Sequence, residues 1–444
     1  MAENSKNTGA EDMQAAFIRA AIWHGSLTEA DSMLALYPEL AGMSIHTAAI
    51  LGDAPVVRDF ISADPTLIDS TAGPYGGNAL VYCCMSKYLR LNKEKGTSFL
   101  ETARILLDAG ADPNSGFWTK GAYPEFETAL YGAAGIAHHA DLTKLLLAYG
   151  GDPNDIEAVY HSPETYENDA MITLVETGKI TTENLVLMLI RKHDLHDYQG
   201  VKYLLEKGVD PNGRWSYTSP FHHALMRCNH IGIISLSLDY GADPALVCQD
   251  LSAAARAARE GRNDVLSELQ KRGLTYRLEG VDRLIEACAF GDKTLAQNIL
   301  QQDPSLLPDL MSIAGTLLAK FSGAGNVEGV RLLLDLGVTV DTPFEEGDGY
   351  FEIPKRSLAI HVAAWRAQHD VVQLLIERGS PIDIPDTKGR TPLQLAIKAS
   401  VDSYWTDRRS PKSAEMLLNA GVKFDQALLP TGYEELDKLL LKFC

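Results

Sequence analysis

Several things are scarce in this chain of 444 residues, and each scarcity excludes something. There are only six cysteines, Cys83, Cys84, Cys228, Cys248, Cys288 and Cys444. They form no Cys-x-x-Cys pair and are too few for a disulfide framework, which fits buried thiols in a reducing cytoplasm. Positive charge is short: 40 Lys and Arg face 59 Asp and Glu, a net charge of −19. Such a surface repels phosphates, so nucleic acid is excluded as the main partner. No apolar run is long enough to span a membrane, and the polar opening lacks the apolar core of a signal peptide. The phosphate loop GxxxxGK[ST], the zinc motif HExxH and the nucleophile elbow GxSxG are all missing. No cofactor is implied, and no metal: His193 and His196 are three apart, but they fall in a turn ahead of Asp197, an expected N-cap.

What is present is a repeat. The phrase Leu-Leu-Leu, two further residues, Gly, then Asp-Pro-Asn recurs with variation, as at Ile105–Asn114, Leu145–Asn154 and Leu204–Asn212. Weaker copies end at Gly178, Gly241, Gly273, Gly337, Gly379 and Gly421, and three more carry Tyr37-Pro38, Asp64-Pro65 and Asp303-Pro304. From Tyr37 to Gly421 is 384 residues over eleven intervals, about 35 per unit. That period makes a stack of helix pairs, because one such unit cannot bury its apolar face alone. The glycine ends the leucine-rich helix in a left-handed conformation, and Asp-Pro-Asn cannot continue it. A shorter Ala-rich helix precedes each leucine run, as at His46–Ala49 and His361–Ala364.

These copies resemble the ankyrin repeat family. Its Thr-Pro-Leu-His opening stands here as Thr391-Pro392-Leu393-Gln394 and Ser219-Pro220-Phe221-His222, and its Gly-Ala-Asp-Pro-Asn ending as Gly110–Asn114. More narrowly, His193–Leu205 resembles an uncharacterised bacterial group of ankyrin proteins, which supplies no activity to carry over. The resemblance implies an all-α solenoid of about twelve stacked ankyrin-type helix pairs, with β-hairpin-like fingers and capping helices at both ends. The expected layout is a disordered stretch over 1–12, the solenoid over 13–421 and a C-terminal capping helix over 422–444. The resemblance also assigns His46, His222 and His361 to backbone hydrogen bonds that hold the hairpins.

Function is sought where the period lengthens, since a stack admits extra residues only in loops. The insertions hold Lys87–Lys95, Phe117–Phe126, Phe344–Phe351 and Tyr404–Arg409, and aromatics concentrate in them. Exposed Trp and Tyr offer large contact area at small entropic cost. The expected binding residues are Trp118, Tyr123, Tyr166, Trp215, Tyr217, Arg227, Trp365, Arg366 and Trp405. The expected function is a cytoplasmic binding scaffold that recognises a protein or peptide through its concave groove and aromatic hairpins, as monomer or dimer. The alternative is a small-molecule enzyme or sensor using Glu164, His161 and His193 as acid and base in a pocket closed by the insertions. Sequence leans against an enzyme, because nothing in the spacing of these groups marks an active site.

Overall fold

The computed structural model describes residues 2–401 and 408–444, so Trp405 lies outside the described residues. The chain divides into two compact units, Met1–Pro220 and Phe221–Cys444. Both are built mainly from short helices, with two small two-stranded sheets.

In the first unit the short helix Ile45–Leu51 packs on its partner Ala54–Ala63 and on the next short helix, Ala79–Cys84. The longer helices pack in the same order, Ala54–Ala63 on Gly96–Asp108 and that one on Ala140–Ala148. The second unit repeats the scheme. Ala359–Trp365 pairs with His369–Glu377 and is flanked by the helices Ala314–Ala324 and Pro392–Val401. Ala363, Ala364 and Ala396 are buried there, where small side chains let helices approach closely.

The glycines behave as the repeat demands. Gly110, Gly150, Gly208, Gly241, Gly379 and Gly421 have φ between 80° and 101°. An added Cβ would meet nothing within 4 Å at any of the six, so the left-handed backbone, and not crowding, selects glycine. After it, Asn114 N–H donates to Asp112 Oδ1 and Asn154 N–H to Asp152 Oδ1, both at 2.9 Å. The asparagine then clamps the next unit. Asn114 Oδ1 accepts from Asp152 N–H at 2.8 Å while its Nδ2 donates to the Gly150 carbonyl at 3.2 Å. Asn154 does the same to Thr181 and Lys179.

The three matched histidines share one geometry. Nε2 of His46, His222 and His361 lies 2.8 Å from the carbonyls of Ser70, Leu246 and Ile384, respectively. Each imidazole thus ties a short helix to the turn 23 or 24 residues later.

The first helix runs Ala2–Ala21 and so passes through the stretch expected to be disordered. At the other end, the helix Glu434–Leu440 buries Leu436, Leu439 and Leu440. No helix among the described residues is long and apolar enough to cross a membrane.

Candidate functional site

The first finger is an antiparallel pair, Gly116–Trp118 with Phe126–Thr128. Strand parity sorts its side chains. Trp118 pairs with Phe126 on the outer face, ring centroids 5.1 Å apart, and Trp118 remains 63% exposed. Tyr123 at the tip is 89% exposed. Phe117 and its partner Glu127 take the inner face and are both buried. Phe117 stacks on Tyr75 at 5.1 Å and meets Trp23 edge-on at 5.8 Å.

Beneath this finger lies a polar chain. Asp155 caps the helix Ile156–His161 by accepting from Ala158 N–H at 2.8 Å. That helix puts Glu157 one turn before His161, with Nε2 at 3.4 Å from its carboxylate. His161 Nδ1 lies 2.6 Å from Glu164 Oε2 on the other side. Arg191 bridges Glu164 and Asp194, and its guanidinium lies 4.1 Å over the Tyr160 ring. The Tyr131 ring stands 5.2 Å from the imidazole.

The electrostatics set what this chain can do. Burial alone would lower the His161 pKa, but the bonds to Glu157 and Glu164 outweigh it and raise it to about 9. Burial raises the Glu164 carboxyl, yet His161 and Arg191 together hold it below its ordinary value. Near neutral pH the pair is therefore an imidazolium and a carboxylate, and His161 has no free lone pair for base catalysis. Glu127 differs. Burial, then the charges of Glu157 and Glu125, push it up to about 7.

Expected site residues scatter accordingly. His161 and Glu164 meet, but His193 does not join them as an exposed group: it is fully buried in the helix Thr182–Asp194. The expected turn begins only after Asp194, because Asp197 caps the next helix by accepting from Gln199 and Gly200 N–H. Lys192, also fully buried, fixes that cap through Asp197 Oδ2 at 2.9 Å. Tyr166 is 70% exposed, and its hydroxyl donates to the Leu195 carbonyl at 2.8 Å. It borders an open groove with Asn168, Ile172, Lys202 and Tyr203. Trp215 is half-buried in the bridge Trp215–Thr218, and Tyr217 is exposed.

In the second unit Trp365 and Arg366 are buried, correcting the expectation that they are displayed. The insertion that contains Phe344–Phe351 folds back over them. Bridges join Phe344 to Ser357 and Asp348 to Ile353. Trp365 Nε1 donates to the Phe351 carbonyl at 2.6 Å, and the Arg366 guanidinium lies 4.1 Å over the Phe351 ring. Arg227 covers the Tyr350 ring at 3.8 Å. Lys320 anchors the loop between Glu260 at 3.3 Å and Asp348 at 3.0 Å.

The sequence profile of the ankyrin repeat family matches residues 357–387, the stretch that holds His361, Trp365 and Gly379. The chain carries an ankyrin repeat. Similarity to characterised proteins is partial. Serine/threonine-protein kinase 12 of Arabidopsis thaliana is 35% identical over 83 residues, 19% of this chain and 16% of the kinase. Protein glp-1 of Caenorhabditis elegans is 30% identical over 144 residues, 32% of this chain and 10% of that protein. The chain thus spans only a small part of either relative. Solved structures that resemble it include the ankyrin repeat domain of Bcl-3, at 19% identity and a TM-score of 0.24, covering 52% of this chain and 97% of that one. The human ASB11 ankyrin repeat domain is 20% identical with the same TM-score, covering 53% and 99%.

Among the described residues no group of three His, Cys, Asp or Glu side chains is placed to hold a metal ion. Glu127, Glu157 and the Tyr350–Phe351 pair escaped the sequence reading as site residues. Glu157 carried a signal, since its spacing of four from His161 places both on one helix face. Glu127 carried one only through the parity of its strand, which follows once Phe117 is taken as the inward residue.

Proposed function

We propose that this chain is a binding scaffold for a protein or peptide, acting in the cytoplasm and engaging its partner through the aromatic finger Gly116–Thr128. The observation that carries the reading is the outward face of that finger, where Trp118, Tyr123 and Phe126 are exposed together. Rigid aromatic rings on a short hairpin give contact area without much ordering cost, and ankyrin repeats generally serve as protein-interaction scaffolds. The exposed Tyr166 and the groove beside it extend the same kind of surface. The buried thiols support a reducing compartment. The 35-residue period supports about twelve units over 13–421 with 422–444 as the closing cap.

The test is a displayed peptide library panned against the full chain, with affinities measured for the parent and for Trp118→Ala/Tyr123→Ala. Selected peptides should bind the double variant at least about tenfold more weakly. Peptides that bind both proteins equally would overturn the assignment of the finger.

A further inference from the structure

One carboxylate oxygen beneath the finger stands apart from the hydrogen bonds of the fold. Glu127 is 2% exposed, and its Oε2 is buried without a hydrogen-bond partner. Leaving a buried carboxylate oxygen unpaired costs the desolvation of that group, so a protein holds one there only against some other gain. The surroundings say what would pair with it. Glu157, Glu125 and Asp155 all act on Glu127 with like charge, and His161 alone opposes them. That field repels anions and favours a cation. Ring systems stand at the same place: Phe117 directly across the strand pair, Tyr75 and Trp23 against Phe117, and Tyr131, on which the Glu127 charge acts. Aromatic faces attract a cation and accept an apolar body. Since no third carboxylate, imidazole or thiol converges to complete a metal set among the described residues, an organic cation fits better than an ion. Such a cation must also donate a hydrogen bond to Oε2, which a quaternary ammonium cannot do.

We propose that Glu127 and Glu157, with the rings of Trp23, Tyr75, Phe117 and Tyr131, form a binding site for a primary ammonium group on a small apolar or aromatic molecule. The ammonium donates to Glu127 Oε2, Glu157 supplies the second charge, and the rings hold the body. His161 and Glu164 remain paired and set the orientation of Glu157. The site goes beyond the protein-binding reading and does not depend on it.

The test is calorimetric titration of the full chain at pH 8 with phenethylamine, putrescine, 2-phenylethanol and Nα-acetyl-lysine methylamide. Saturable binding of an amine, with the alcohol at least about tenfold weaker, is the expected result. Glu127→Gln should lose about tenfold or more in amine affinity, and Glu157→Gln several-fold. Tighter binding of the lysine derivative than of the free amines would identify the source of the ammonium as a protein lysine. The proposal is overturned if no amine saturates, if the alcohol binds as well as the amine, or if Glu127→Gln binds like the parent. Should circular dichroism show that Glu127→Gln does not fold, the half-buried Glu157 decides. Unchanged affinity in Glu157→Gln overturns the site, and weakened affinity supports it.

Discussion

Two aromatic insertions of the same kind in sequence end in opposite states. The finger Gly116–Thr128 holds Trp118 and Tyr123 out, 63% and 89% exposed, whereas the loop carrying Tyr350 and Phe351 buries Phe351 and leaves Tyr350 only 36% exposed. Aromatic content does not decide the outcome; what lies beneath does. Under the second loop stand Arg227 and Arg366, whose guanidiniums cover the two rings, and the Trp365 indole, which donates to the Phe351 carbonyl. Lys320 adds an ion pair to Asp348. Under the first finger His161, which opposes the carboxylate charges on Glu127, is already held between Glu157 and Glu164, while the outer ring of Trp118 packs on Phe126 of its own finger. Phe351, whose ring meets a guanidinium and whose carbonyl meets an indole donor, is core, and Trp118, which packs only within its own finger, is surface.

The largest effect should come from removing the anchor of the folded loop. Trp365→Ala takes away a buried indole and leaves the Phe351 carbonyl without its donor, and should cost about 3–5 kcal/mol. Guanidinium unfolding of the full chain measures it, and a loss below about 1 kcal/mol would mean that the loop is held by its cations alone.

Next comes the inner face of the first finger, where the effect depends on pH. The Glu127 pKa rises from 4.5 to about 7 on folding. The folded state therefore keeps a proton that the unfolded chain has already released across that window. Stability contributed by this group falls as pH rises from 4.5 to 7, and the cost is complete above about 7. Glu127→Gln should match the parent near pH 4 and exceed it by about 1–3 kcal/mol at pH 8. Equal stability at pH 8 would show that the carboxylate finds a partner once ionised.

His161 is more exposed than Glu127, 28% against 2%, so its effect is smaller, and its substitution destabilises where that of Glu127 stabilises. Its folded pKa is raised from 6.5 to about 9, so its stabilisation is fully present below 6.5 and lost as pH rises through about 9. The difference in melting temperature between the parent and His161→Gln should be widest near pH 6 and close by pH 10. A difference that does not change with pH would reduce the histidine to packing.

The repeat was legible because its signals are local and periodic. Gly110 and Gly150 announce left-handed helix ends, and Asp112 and Asp152 announce the turns that follow. His46, His222 and His361 fell to the backbone bonds that the family resemblance implied, since each is fixed by its own unit. The sites were less legible. His193 lies within four residues of the Asp197 cap, and a helix that runs on to Asp194 carries it into the core. Trp365 looked like Trp118 because sequence records neither the cation over a neighbouring ring nor the carbonyl that meets an indole. Glu127 was hidden for a related reason: strand parity places it inward, and parity is set by a pairing register that no single residue announces.

The smallest expected change in stability falls on the displayed rings, and it makes the comparison decisive. Trp118 contacts Phe126 within its own finger, and Tyr123 is 89% exposed. Replacing each with alanine should move stability by no more than about 0.5 kcal/mol, the range of surface changes that open no cavity and strand no polar group. Paired with the Trp365→Ala measurement, this separates the two insertions by what the rings do for the fold. If Trp118→Ala costs as much as Trp365→Ala, the first finger is folded core like the second loop, and its rings are not free to meet a partner. If stability holds while selected peptides are lost, the rings serve recognition and the fold proceeds without them.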